Sequence, residues 1–179
     1  MMNYFEKQIT FSVQMTWKEI YKFTMYHTYH SFAGVLGLVL SVMALANLIL
    51  SFDKLSDQSK TIMTIVAAWF LIFEPLRMLM RSKSQMKLSK AYKKPLNYII
   101  NEEGITVSQD EESQTIEWKQ LFKIAETKSQ FLVYSNRINS FIFPKSSLDG
   151  QVDDLGNAMT EYCKDTKVKH LGGMKKRGK

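Results

Sequence analysis

Apolar and polar positions alternate on three different length scales along this chain. Residues 31 to 52, SFAGVLGLVLSVMALANLILSF, contain no charge at all. At about 1.5 Å per residue a helix of this length reaches roughly 33 Å, enough to cross a bilayer core of about 30 Å. A second apolar stretch, TIMTIVAAWFLIF, begins at Thr61, meets Glu74, Pro75 and Arg77, and resumes to Met80. Taken from Thr61 to Met80 it also has spanning length. The polar connection DKLSDQSK is short, so the two helices are expected as an antiparallel hairpin with spans 31–52 and 61–80. The alternative is one span followed by an interfacial helix, but TIMTIVAAWFLIF lacks the polar face such a helix needs.

Outside the hairpin the period changes. Near the start, KQITFSVQ alternates polar and apolar residues and reads as a strand. Thr16 followed by Glu19 has the spacing of a capping box. The helix it opens is rich in aromatics and is expected to run into the first span, with Trp17, Tyr21, Tyr26 and Tyr29 at headgroup level. From Leu96 onward six short β segments are predicted: 97–101, 105–109, 114–118, 121–126, 130–135 and 140–143. Turn residues separate them, as in an antiparallel sheet or partly open barrel. Residues 147–164 read as a closing helix on the spacing of Leu148, Val152, Leu155, Met159 and Tyr162. The predicted organisation is therefore 1–30, strand and aromatic helix; 31–80, hairpin; 81–95, basic juxtamembrane linker; 96–164, β-rich domain; and 165–179, a basic tail expected to be disordered.

Charge adds direction to this pattern. Lys18 and Lys22 precede the first span, and Arg81, Lys83, Lys87, Lys90, Lys93 and Lys94 follow the second, against Lys54 and Lys60 in the loop. The positive-inside rule then places both termini in the cytoplasm of a multi-pass protein of the cell membrane. The single Cys163 excludes an intrachain disulfide and fits a reducing compartment. Arg81, Lys83, Lys87, Lys90, Lys93 and Lys94 are candidates for contact with the anionic inner leaflet, each charge contributing about 1 kcal/mol near the surface. Topological retention explains the same cluster without a ligand. The overall charge of +7 does not imply nucleic acid as a partner, because residues 95–163 are acidic and the basic parts flank the membrane and form the tail.

Glu74 and Arg77 form an ionisable pair within the second span, where such groups are functional candidates. Three residues apart on a helix, they can equally be a structural ion pair, with Arg77 reaching to the headgroups. No other chemistry is assembled. His27 and His30 share a helix face but lack further metal ligands, Cys163 has no nucleophile context, and there is no phosphate loop or cofactor fingerprint. No cofactor and no enzymatic reaction are expected. The small residues Ala33, Gly34, Gly37 and Ser41 have the spacing of helix-association surfaces and suit a homo-oligomer.

FSVQMTWKEIYKF, the two spans, the basic stretch leading into NYIINEEGITV, and the run TIEWKQLFKIAETKSQFLVYSNRINSFIFPK together resemble the YcxB-like family of small bacterial membrane proteins. The resemblance covers about Phe5 to Cys163. It implies a cytoplasmic β-rich domain similar to pleckstrin-homology-like modules, carried on a membrane hairpin, with no established reaction. Such a module has seven strands and a C-terminal helix. Since six strands follow the hairpin, KQITFSVQ is expected to fold back as the seventh, with the hairpin inserted between the first two strands. The favoured function is an interaction module engaging a protein partner or the inner leaflet. A different class, immunity against a membrane-acting toxin or bacteriocin, also suits a small two-span protein.

Overall fold

The computed structural model describes residues 8–89, 92–137, 139–164 and 166–177. The chain divides into two compact units. One is helical, Thr16–Ser89; the other combines Met1–Met15 with Lys90–Lys179.

The helical unit begins with α1 (Trp17–Tyr29). The expected capping box does not form: the Thr16 hydroxyl donates to the Glu19 carboxylate instead of accepting a backbone N–H. Nor does α1 run unbroken into the first apolar helix. His30 and Ser31 interrupt it, and Ser31 caps α2 (Phe32–Leu50) by accepting from the Gly34 N–H at 3.1 Å. A short turn leads to α3 (Asp57–Ala68), capped by Ser56. A π-helical turn, Trp69–Phe73, then joins α3 to α4 (Glu74–Leu88) without a break. Among the described residues two helices are thus long and apolar enough to cross a membrane: Phe32–Leu50, with an 18-residue stretch of mean hydropathy 2.3, and the 32-residue Asp57–Leu88, with one of mean hydropathy 1.7. The second is longer at both ends than the 61–80 span expected from the sequence, and Arg81, Lys83 and Lys87 belong to its last turns instead of a linker.

Packing in this unit rests on small residues. Gly37 and Ser41 are buried on α2. A Cβ on Gly37 would lie 2.2 Å from Phe70 Cζ, and the Ser41 hydroxyl donates to the Val66 carbonyl at 2.8 Å. The stripe read as a self-association surface is therefore covered at these two positions by the second helix of the same hairpin. Large apolar side chains point outward, among them Leu36, Leu40, Ile62, Ile65 and Ile72.

The β unit opens with β1 (Ile9–Val13), whose residues alternate buried and exposed as the sequence pattern requires. It pairs antiparallel with β2 (Leu96–Ile100), Val13 opposite Leu96. The helical unit is accordingly inserted between the first two strands of one sheet. That sheet continues through β3 (Gly104–Gln109) and β4 (Glu112–Glu117) in the order β1-β2-β3-β4. The six predicted strands after the hairpin are all present, completed by β5 (Lys123–Glu126), β6 (Gln130–Tyr134) and β7 (Ser140–Pro144). Phe11, Tyr98 and Phe143 meet with centroids 4.8–5.4 Å apart, joining side chains from the two sheets in one core. The closing helix α5 (Val152–Tyr162) is shorter than expected. A turn with Asp149 and Gly150 at positive φ precedes it, and Leu148, Leu155 and Met159 are fully buried.

The C-terminal segment differs from the disordered tail expected of it. It forms β8 (Lys169–Gly172) and a single helical turn, α6 (Met174–Arg177). β8 lies beside β5, giving a second sheet of order β7-β6-β5-β8.

Candidate functional site

The charged pair of the helical unit follows from Pro75. A proline within a helix has no N–H to donate and crowds the preceding turn. Here the turn before it widens: the Glu74 N–H reaches back five residues to the Trp69 carbonyl. In that pattern the next bond would run from residue 75 to the Phe70 carbonyl, and proline cannot make it. The Tyr29 hydroxyl from α1 donates to the Phe70 carbonyl instead, at 2.8 Å. In an apolar medium an unsatisfied carbonyl costs several kcal/mol, so this bond explains how the helix continues through Pro75.

Glu74 is 8% exposed and on the buried face of α4, with Met78 and Ser82. Arg77 grips it with two nitrogens: Nε donates to Oε2 at 3.0 Å and Nη2 donates to Oε1. Tyr29 is within electrostatic reach of Glu74 as well. The carboxylate is thus neutralised by a bidentate partner, while the arginine keeps its outer edge free, its side chain 70% exposed. Phe73, Leu76, Arg77, Met80, Arg81 and Ser84 line an open groove of about 540 Å³ on the exposed face of α4. Apolar side chains and two guanidinium groups on one stripe suit an acyl chain or a partner helix below an anionic group.

The remaining basic candidates are spread out. Lys83 is exposed and sits over the Trp17 ring at 5.1 Å. Lys87 is exposed near the end of α4, and Lys93 is exposed just before β2. Lys94 is engaged in an ion pair with Asp110 at 2.7 Å, on the turn between β3 and β4. Lys90 lies outside the described residues. The structure therefore brings Arg81 together with Arg77 and puts Lys94 to work in the β unit. Among the described residues, Arg81, Lys83, Lys87, Lys93 and Lys94 are not gathered into a single basic pocket.

The β unit carries a cleft of about 500 Å³ that sequence reading missed, lined by Glu102, Glu103, Glu117, Trp118, Lys119 and Tyr162 among others. Its floor is Trp118, whose indole Nε1 donates to the Asn101 carbonyl at 2.9 Å and whose ring meets Tyr162 at 5.2 Å. The cleft lies at the end of the first sheet where β2 turns into β3, opposite the end where the chain leaves for the helical unit. Glu102 and Glu103 are neighbours on the β2–β3 turn, and the pairing of Gly104 with Glu117 brings the third carboxylate, fourteen residues on, to the same end of the sheet.

Cys163 is 2% exposed, and burial pushes its thiol up to about 12, so a thiolate is not available at neutral pH. His27 lies against Phe23, and His30 stacks on Tyr26 with centroids 4.1 Å apart. Among the described residues no group of three or more His, Cys, Asp or Glu is placed to hold a metal ion.

Residues 100–159 match the family of YcxB-like proteins. The family resemblance read from the sequence holds over this segment, which runs from the end of β2 into α5. No curated protein and no solved structure matches the chain.

Proposed function

We propose that this chain is a membrane-anchored interaction protein without catalytic activity. In this reading α2 and the long helix Asp57–Leu88 cross the cell membrane as a hairpin, with both termini in the cytoplasm. The β unit serves as a pleckstrin-homology-like module that engages a protein partner or the anionic inner leaflet. The observation that carries the anchor is the inside-out character of the hairpin: Leu36, Leu40, Ile62, Ile65 and Ile72 outward, Glu74 inward with a bidentate counter-ion. Support for the module comes from the first seven strands, four in one antiparallel sheet and three in the other, with α5 following the seventh; β8 joins the second sheet as a parallel addition to that pattern. The exposed guanidinium edge of Arg77, with Arg81 one turn on, suits a lipid phosphate at the cytoplasmic boundary.

The test is capture of the full-length protein from its native membranes after mild cross-linking, with proteins and lipids both identified. A stoichiometric protein partner is the expected result. Anionic lipid alone, lost as salt rises, narrows the role to the leaflet. Recovery of neither, with a phenotype only under challenge by a membrane-acting toxin, would replace this reading by the immunity role.

A further inference from the structure

Strand β5 has neighbours of two kinds. On one side β6 pairs with it antiparallel through a short turn, as in any meander. On the other lies β8, from the end of the chain, parallel and in register from Lys123 opposite Lys169 to Glu126 opposite Gly172. Without β8 this would be a free sheet edge, a row of unpaired N–H and C=O groups able to accept another strand.

Beyond β8 the tail is held by two side chains three residues apart. Met174 is fully buried. Arg177 reaches into a polar socket made by β5 and α5. Its Nε donates to Glu126 Oε2 at 2.8 Å, its Nη2 to Glu126 Oε1 at 3.2 Å and Asp153 Oδ1 at 2.8 Å, and its Nη1 to Asn157 Oδ1 at 3.2 Å. Lys145 also donates to Glu126, at 2.8 Å, so the carboxylate is shared between a resident cation and the tail. The socket is shaped for its occupant. A Cβ on Gly156 would lie 2.6 Å from Arg177 Nε, and one on Gly173 would lie 2.7 Å from Glu126 Oε2. Gly172, at φ +61, turns the chain where a Cβ would lie 2.3 Å from the Glu126 carbonyl oxygen.

A sheet edge that supplies main-chain bonds, a buried apolar site and an arginine socket are the parts by which proteins receive an extended peptide: the main chain contributes affinity, the sockets selectivity. Charge agrees. Residues 95–163 hold eleven acidic and five basic side chains, and residues 164–179 hold seven basic and one acidic. We propose that the β5 edge and α5 together form a peptide-binding groove, and that the C-terminal tail is its resident occupant. The partner it fits is an extended basic segment with two glycines before an apolar residue and an arginine three positions after that residue. This deepens the interaction-module reading, on which it rests for its biological role, by stating the partner's chemistry. A tethered segment acts at an effective concentration of the order of millimolar. A free segment of similar sequence therefore competes poorly while the tail is docked, and the groove opens only to a tighter ligand or after the tail is displaced.

The experiment uses the full chain in detergent micelles and a fluorescent peptide with the sequence of residues 167–179. A chain with its own tail disabled by M174D and R177E is expected to bind the peptide at least tenfold more tightly than the unaltered chain does. The peptide carrying R177E should not bind. Absence of uptake by the disabled chain, or equal uptake by both chains, overturns the proposal. R177A provides a milder second variant: hydrogen exchange should quicken in Lys169–Gly172 while β6 and β7 stay protected. Equal protection of Lys169–Gly172 in R177A and the unaltered chain also overturns it. Should a partner be captured from membranes while the peptide fails to bind, only the groove falls and the interaction role stands.

Discussion

The two units obey one rule in opposite senses. In the β unit Ile9, Val13, Ile100, Ile124, Phe131 and Phe143 are essentially inaccessible, and most charges lie outside. In the helical unit Phe32, Leu50 and Ile49 are among the most exposed side chains, while Glu74, Ser41 and Ser82 are buried. A charged exterior suits water and an apolar one suits lipid, so the two units are built for different surroundings. What holds the parts together differs accordingly. Expulsion of water from apolar surface drives the β core. In the helical unit, whose apolar side chains face outward, close approach at Gly37 and hydrogen bonds at Ser41 and Tyr29 join the helices instead.

The contrast can be broken most sharply in the cores. Phe143→Ala should destabilise the β unit by about 3–5 kcal/mol, read as a shift in chemical denaturation. Leu36→Ala, an equally apolar truncation on the outside of α2, should cost less than about 0.5 kcal/mol in a detergent unfolding assay. Comparable losses at both sites would remove the inside-out distinction. A smaller effect is expected at the helix contact. Gly37→Leu forces side-chain atoms into the Phe70 ring and should cost about 1–3 kcal/mol, seen as faster proteolysis between the two spans. Unchanged cleavage would mean that the helices do not depend on this contact.

The smallest effect is a dependence on acidity at the tail. Burial alone would raise the Glu126 carboxyl, but hydrogen bonds from Arg177 and Lys145 outweigh it and hold the group below its ordinary value of 4.5. A carboxyl lowered by folding contributes stability above its unfolded value, and that contribution is lost as pH falls through the folded one. Burial also lowers His170 from 6.5, favouring the neutral ring, whose buried Nε2 meets no hydrogen-bond partner among the described residues. Its share is lost as pH drops below 6.5. Exchange protection of Lys169–Gly172 should therefore be flat from pH 8 to 7, weaken below 6.5, and fall further below 4.5. Protection that increased on acidification would contradict both assignments.

Legibility in the sequence varied by element for physical reasons. The spans and strands are local patterns, and the alternation ITFSV or the run FAGVLGLVLSVMALANLIL carries its own instruction. The Glu74–Arg77 pair was visible because both ends lie on one helix. Pro75 announced a disturbance, but that the helix would continue depends on Tyr29, forty-one residues from Phe70. The tail was unreadable for the same reason. KHLGGMKKR has too many charges and glycines to order itself, and it becomes ordered because Glu126, Asp153 and Asn157 are spaced to receive Arg177. Basic residues likewise looked like one cluster in sequence, yet Lys94 is drawn to Asp110.

The insertion of the helices between β1 and β2 has a consequence in time. Val13 is synthesised 83 residues before its partner Leu96. At about 5–20 residues per second that interval is on the order of 4 to 16 s. Throughout it, Ile9, Phe11 and Val13 form an apolar strand with no sheet to join. The helical unit, Thr16–Ser89, is made in the same interval, so its helices can be in place before the first sheet is able to close. Maturation of the β unit is then ordered behind that of the helical unit, and a chain whose helices stall leaves an unpaired strand that chaperones and proteases can recognise.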